Sequence, residues 1–291
     1  MRRTILILLA TLAVASLPPA SPIAASDPTI LAHGPFSSDA AFVHVRRLAG
    51  RIGPRPAGTT AYRRAVRYVD GKLTGLGYDT RLQRFPLPRG GRSWNVIATS
   101  PTSTAVRLLI GAHLDTVAGS PGGNDNASGV AVLLEIARSL AGSAATDGLT
   151  LVAFGAEEFQ PKGGHHIGSD AYVDRMTAAE RDALEIMVSV DMIGKVRPLI
   201  AARLRGTSPN SARELARAAR ASGTRASVRT LGDISDHGPF ALAGMPAAFL
   251  WTGLEPNHHL PTDVVRNVAP RSLRRSGDAL LELVDRLLGP A

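Results

Sequence analysis

His113 and Asp115 in GAHLDTV, Asp125 in GGNDNASG, Glu157 and Glu158 in FGAEEF, Asp191 in VDMIG and His259 in NHHLPTD are the residues of this chain best suited to chemistry. All are imidazoles or carboxylates. The chain has no cysteine, so any metal must be held by His, Asp and Glu. Two histidines and three carboxylates can hold a pair of divalent ions, with one carboxylate bridging ions about 3.5–4 Å apart and a water between them. A further carboxylate would then act as base. The adjacent glutamates, two like charges ending an apolar run, fit this scheme: side chains alternate along a strand, so one can face metal and its neighbour water.

Taken singly, these residues have plainer readings. His113 fits a buried structural histidine, Asp191 a strand-end cap, and Asp125, between Asn124 and Asn126, a turn before a helix. Placement along the chain favours the joint reading. Apolar runs at 106–112, 149–155, 185–192 and 246–251 read as buried strands. They alternate with helical patterns at 128–141 and 208–223 and a short helix opened by a Thr177/Glu180 capping box. That alternation predicts an α/β domain with a largely parallel central sheet. The ligand-type residues fall just past the strand ends, the crevice where open α/β sheets bind ligands. Upstream, 38–51 and 59–75 read as helical, YDTRLQRF and SWNVIAT as an antiparallel edge, and 270–288 as a last helix packed across the sheet.

The opening MRRTILILLATLAVASLPPASPIAAS reads as a secretory signal peptide over residues 1–26, too short to span a bilayer. Residues 27–291 follow as one globular domain, without repeat or low-complexity linker. This predicts a secreted, envelope or periplasmic protein with no stable membrane insertion after cleavage. The formal charge of +9 becomes 9 − 2 = +7 without Arg2 and Arg3, the arginines are dispersed, and only 4% of residues are aromatic. A solvated basic surface is the reading, and nucleic acid is not an expected partner.

The runs GAHLDTV, GGNDNASG, FGAEEF, VDMIG, SDHGPF and HHLPTD, in this order, resemble the co-catalytic dizinc aminopeptidases of peptidase family M28, which also contains glutaminyl cyclases. The likeness extends upstream to RIGPRPAGT and SWNVIA. It implies the zinc-dependent exopeptidase fold, a twisted, mostly parallel mixed sheet sandwiched by helices. It also implies two Zn2+, His113 and Asp191 holding one, Glu158 and His259 the other, and Asp125 bridging them. Glu157 matches the general acid/base and Asp115 the carboxylate that orients His113. His259 is preferred to His258 because the family resembled places its ligand four residues before the aspartate that here is Asp263. Ser235 matches a serine lying against the closing histidine, Asp236 and His237 are expected near substrate or behind the ligands, and Asp125–Asn126 is expected as a cis peptide. Asp263 is read as a cap of the segment after His259.

The resemblance implies an exported aminopeptidase acting on peptides with a free N-terminus. A glutaminyl cyclase is the second reading. A non-catalytic binding ectodomain is the third, and the intact ligand set argues against it. FQPKGGHHI, between Glu158 and Gly168, is longer than the commonest family form; His165 and His166 either face the cleft and touch substrate without holding metal or sit on the surface, and the surface is preferred.

Overall fold

A computed structural model describes residues 33–158 and 165–289. The expected signal peptide and FQPKGG, residues 159–164, lie outside the described residues. In chain order the elements are α1 (Ser38–Val45), continued by a π-helical segment Arg46–Ile52, α2 (Thr60–Gly75), β1 (Asp79–Pro86), β2 (Arg92–Thr99), β3 (Leu108–His113), α3 (Ser128–Leu140) and β4 (Leu149–Phe154). There follow α4 (Ile167–Val173), α5 (Ala178–Ala183), β5 (Ile186–Val190), β6 (Leu199–Leu204), α6 (Asn210–Ala221), β7 (Ala226–Leu231), α7 (His237–Leu242), β8 (Ala247–Trp251) and α8 (Pro270–Leu288). The Thr177/Glu180 capping box is formed at α5, and Pro270 opens α8, where its missing N–H has no helical partner to lose.

The strands form one eight-stranded sheet in the order β1-β2-β4-β3-β5-β8-β6-β7. Its centre, β4-β3-β5-β8, is parallel throughout. Every residue of β3, β4 and β5 is buried, as a parallel strand covered on both faces requires. Alternate side chains enter two cores: Leu108, Ile110 and Ala112 face a layer containing α1, α3, α6 and α8, while Leu109 faces the layer with α4 and α7. Gly111 allows this crowding, because a Cβ there would collide with the ring of Phe154 on the adjacent strand.

The antiparallel β1–β2 edge is as expected. The sheet is mixed with a parallel majority, as expected: β2–β4 and β6–β8 are antiparallel too, and four of seven pairings are parallel. β6 and β7 were not legible as strands. Arg203 and Arg229 interrupt their apolar pattern, and β7 is an edge strand with no fully buried residue.

Candidate metal centre

Because β3, β4, β5 and β8 run parallel, their carboxyl ends meet at one edge of the sheet. His113 is the last residue of β3, Glu157 and Glu158 follow β4, Asp191 follows β5, and His258 and His259 lie in the loop after β8. Asp125 reaches the same edge from the loop before α3. Its Oδ1 is 3.0 Å from His113 Nε2, which is in turn 3.3 Å from Asp191 Oδ1. Its Oδ2 is 3.3 Å from His258 Nε2 and 3.4 Å from His259 Nε2. His259 Nε2 is also 2.9 Å from Glu158 Oε2. Asp125 thus stands between a His113/Asp191 side and a Glu158/His259 side. Both terminal histidines reach Asp125, but the contact with Glu158 is made by His259.

Backbone groups are held so that these side chains converge. The loop before α3 has Gly122 in the left-handed region at φ 61° and a cis Asp125–Asn126 peptide. Asp263 is not a cap of its own segment, as expected from sequence. It is fully buried, accepting the backbone N–H of Asn124 at 2.8 Å and of Asp125 at 2.9 Å. The Arg55 guanidinium, in RIGPRPAGT, donates to the carbonyls of Leu114, Pro121 and Gly122. Burial lowers it to about 10, opposed by Asp115, Asp125 and Asp263. Arg55 is not legible as a site residue in the chain, because an arginine side chain donating only to backbone carbonyls leaves no partner pattern. Arg55→Met is expected to destabilise the protein by about 3 kcal/mol, measured by urea unfolding, since buried carbonyls lose a charged donor.

The glutamate pair is separated by a different device from the one expected. β4 ends at Phe154, so strand alternation does not reach Glu157 and Glu158. Ala156, at φ 59°, bends the chain, and Asp115 accepts the N–H of Glu157 and of Glu158, each at 3.1 Å. Asp115 was expected to orient His113; its carboxylate lies 3.9 Å from His113 Nδ1, whose nearer neighbour is the Asp115 carbonyl oxygen at 3.3 Å. Ser235 was expected beside the closing histidine, but its hydroxyl donates to Asp191 at 3.0 Å and meets Ser189 at 2.9 Å.

A family model, Peptidase family M28, matches residues 95–284. The chain is a member of peptidase family M28. The leupeptin-inactivating enzyme 1 of Streptomyces exfoliatus is 32% identical over 248 residues, 81% of this chain and 55% of that protein. This M28 chain spans about half the length of the curated relatives it matches. Among solved structures it resembles a zinc aminopeptidase from Bacillus subtilis, with TM-score 0.81 at 21% identity, covering 88% of this chain and 96% of the other. It also resembles a glutaminyl cyclase of Porphyromonas gingivalis, with TM-score 0.75 at 24% identity over 86% and 98% of the two chains. Both share its fold.

The charges of the M28 chain's site suit cations. His113, Asp125, Glu157, Glu158, Asp191 and His259 border a cavity of about 400 Å³, and no lysine or arginine lines it among the described residues. Burial, with Asp125 nearby, pushes Glu158 well above the usual carboxylate range. Burial also raises Asp191, which His113 only partly offsets. Burial opposes charge on His113, but Asp191, Glu157 and Asp125 outweigh it and hold the ring well above its ordinary value. Among the described residues, imidazoles are the only cationic partners that line the cavity with these carboxylates, in a setting where burying unpaired charge is costly. His113, Asp125 and Asp191 each offer a ligand atom within 4.8 Å of one another, as do His113, Glu157 and Glu158. This all-N/O donor set fits zinc and similar divalent ions.

The remaining residues are placed as follows. Asp236 is fully buried and accepts from Ser169 Oγ at 2.7 Å; burial and the charge of Glu157 push it up to about 7. His237 is buried and stacked on Phe249 at 5.2 Å, and burial lowers it to about 4. Both lie behind the cavity wall, and neither lines the cavity. His165 is exposed as expected, but His166 is not a surface residue. It is only 3% exposed, with Nδ1 3.1 Å from Glu157 Oε1 and Nε2 3.3 Å from Asp233 Oδ1. Burial opposes its protonation, but the carboxylates of Asp233 and Glu157 outweigh it and lift the ring to about 10. A chain turn at His166, φ 63°, brings it inward. The polarity of a His-His pair gave no sign of that turn.

Proposed function

We propose that this chain is an exported zinc-dependent aminopeptidase, with residues 27–291 as its catalytic domain. The observation that carries the reading is Asp125 with one oxygen toward His113 and the other toward His259, while Glu157 borders the same cavity. In this reading His113 and Asp191 would hold one ion, Glu158 and His259 the other, and Asp125 would serve both. Bound there, the ions supply Lewis-acid chemistry, polarising a carbonyl and acidifying water. Glu157 accepts the proton of the attacking water and returns it to the leaving amine, within the range of a positioned general base. Asp115 keeps its backbone in place. Ser235 orients Asp191, and Asp263 with Arg55 holds the Asp125 loop. Ile234, Phe249, Trp251 and Leu254 form an apolar wall to the cavity, which suits an apolar N-terminal side chain.

A chromogenic leucine amide is therefore expected to be cleaved at least about tenfold faster than the aspartate amide, a difference an apolar wall can supply. A chelator should abolish cleavage and zinc restore it. Chelator-insensitive hydrolysis would sink the metal reading. Cyclisation of an N-terminal glutaminyl peptide without amide hydrolysis would move the assignment to the cyclase. For export, residues 1–26 are proposed as the signal peptide; the protein recovered outside the cytoplasm should begin near Asp27. Among the described residues no helix is long and apolar enough to cross a membrane.

A further inference from the structure

The cleft carries a second cluster of ligand-type side chains that the co-catalytic reading leaves unused. A ring nitrogen of His165, a ring nitrogen of His166 and a carboxylate oxygen of Asp233 lie within 4.8 Å of one another. All three residues line the cavity. The two ring nitrogens of His166 and Oδ1 of Asp233 are buried without a hydrogen-bond partner. Such atoms cost about 1–3 kcal/mol each when nothing compensates them. The His166 contacts to Glu157 and Asp233 are at ion-pair distance, yet neither is in line for a hydrogen bond.

The distances around the His166 ring suit a metal ligand. Nε2 stands 3.3 Å from Asp233 Oδ1, close to the ~3.4 Å that separates two N/O ligands of one tetrahedral zinc. Nδ1 stands 3.1 Å from Glu157 Oε1, so a carboxylate lies beside the second nitrogen, the kind of neighbour that ligating histidines have. The His165 and His166 rings meet at 89°, so each presents its nitrogens in its own plane. A protonated His166 could bridge the two carboxylates without a metal. That arrangement gives His165 no part.

We propose that His165, His166 and Asp233 form an additional divalent transition-metal site at the rim of the cleft. Two imidazoles and one carboxylate favour a zinc-like ion over calcium or magnesium, which prefer all-oxygen shells. Three protein ligands leave a position open to water or substrate. An ion on Nε2 would put its positive charge on the ring that stands 3.1 Å from Glu157, making that carboxylate a weaker base, so, on the aminopeptidase reading, filling the site slows turnover.

The test is calorimetric titration of the metal-free full chain with zinc, comparing the parent with His165→Gln, Asp233→Asn and Asp125→Asn. Both residues of the rim variants are at least partly exposed, and thermal unfolding verifies that those variants fold. His165→Gln and Asp233→Asn should each lose one equivalent, or bind it at least tenfold more weakly, while keeping the equivalents that Asp125→Asn removes. Identical stoichiometry and affinity in the parent and both rim variants would overturn the site and leave His166 as an ion-pair partner only. If Asp125→Asn removes no zinc while Asp233→Asn removes one, the co-catalytic reading fails and the rim site stands. In the parent, turnover should fall as the weakest equivalent fills; constant turnover through that step would overturn the coupling to Glu157.

Discussion

Glu157→Gln is expected to keep the two co-catalytic zincs of the parent chain and to turn over peptide amides about 10²–10⁴-fold more slowly, the usual contribution of a general base. The amide has the shape of the carboxylate but takes up no proton at neutral pH. Packing should survive, because Glu157 is held through its backbone N–H by Asp115 rather than through its side chain. The direct contact of its carboxylate with His166 is lost in charge but not in volume. Zinc per chain by elemental analysis and kcat on a leucine amide check the two halves. Equal loss of zinc in Glu157→Gln and Glu158→Gln would show that the two glutamates do not divide the work.

Asp125→Asn is expected to have the largest effect on metal. Asp125 faces both halves of the cluster, His113 through one oxygen and His259 through the other, and an amide offers a single weak oxygen donor in place of two anionic ones. Zinc affinity at both co-catalytic positions should fall by more than the 10–100-fold typical of losing a group behind the ligands. Amide hydrolysis should fall to background with it. Glu158→Gln, on one side of the cluster, should weaken one equivalent and leave the other. Full retention of both zincs by Asp125→Asn after dialysis would refute the bridging assignment.

Much of the frame is readable in the chain. The buried strands announce themselves as apolar runs, and α8 occupies the residues its periodicity indicates, because Leu273, Leu280, Leu281 and Val284 must all face the core. The strands that escape notice, β6 and β7, lie toward the edge, where arginines can stay in solvent and the pattern is diluted. The site divides in the same way. Residues that would touch metal are conspicuous by type at strand ends, whereas those that hold them are not. Arg55 and Asp263 act on backbone groups far along the chain, Asp263 on an N–H 138 residues away, and Ser235 serves Asp191 rather than the histidine.

By itself the sequence determines residue chemistry and local period: a cysteine-free set of imidazoles and carboxylates, placed where parallel strands end. These depend on a few dihedrals and neighbours, so they survive in a one-dimensional pattern. Tertiary structure alone decides which oxygen of Asp125 faces which histidine, that the glutamates part at a left-handed Ala156 rather than by strand alternation, and that His166 turns inward to two carboxylates. Each of those is a contact between segments joined only by folding. Its geometry comes from how the loops close over the packed sheet, which no local period encodes.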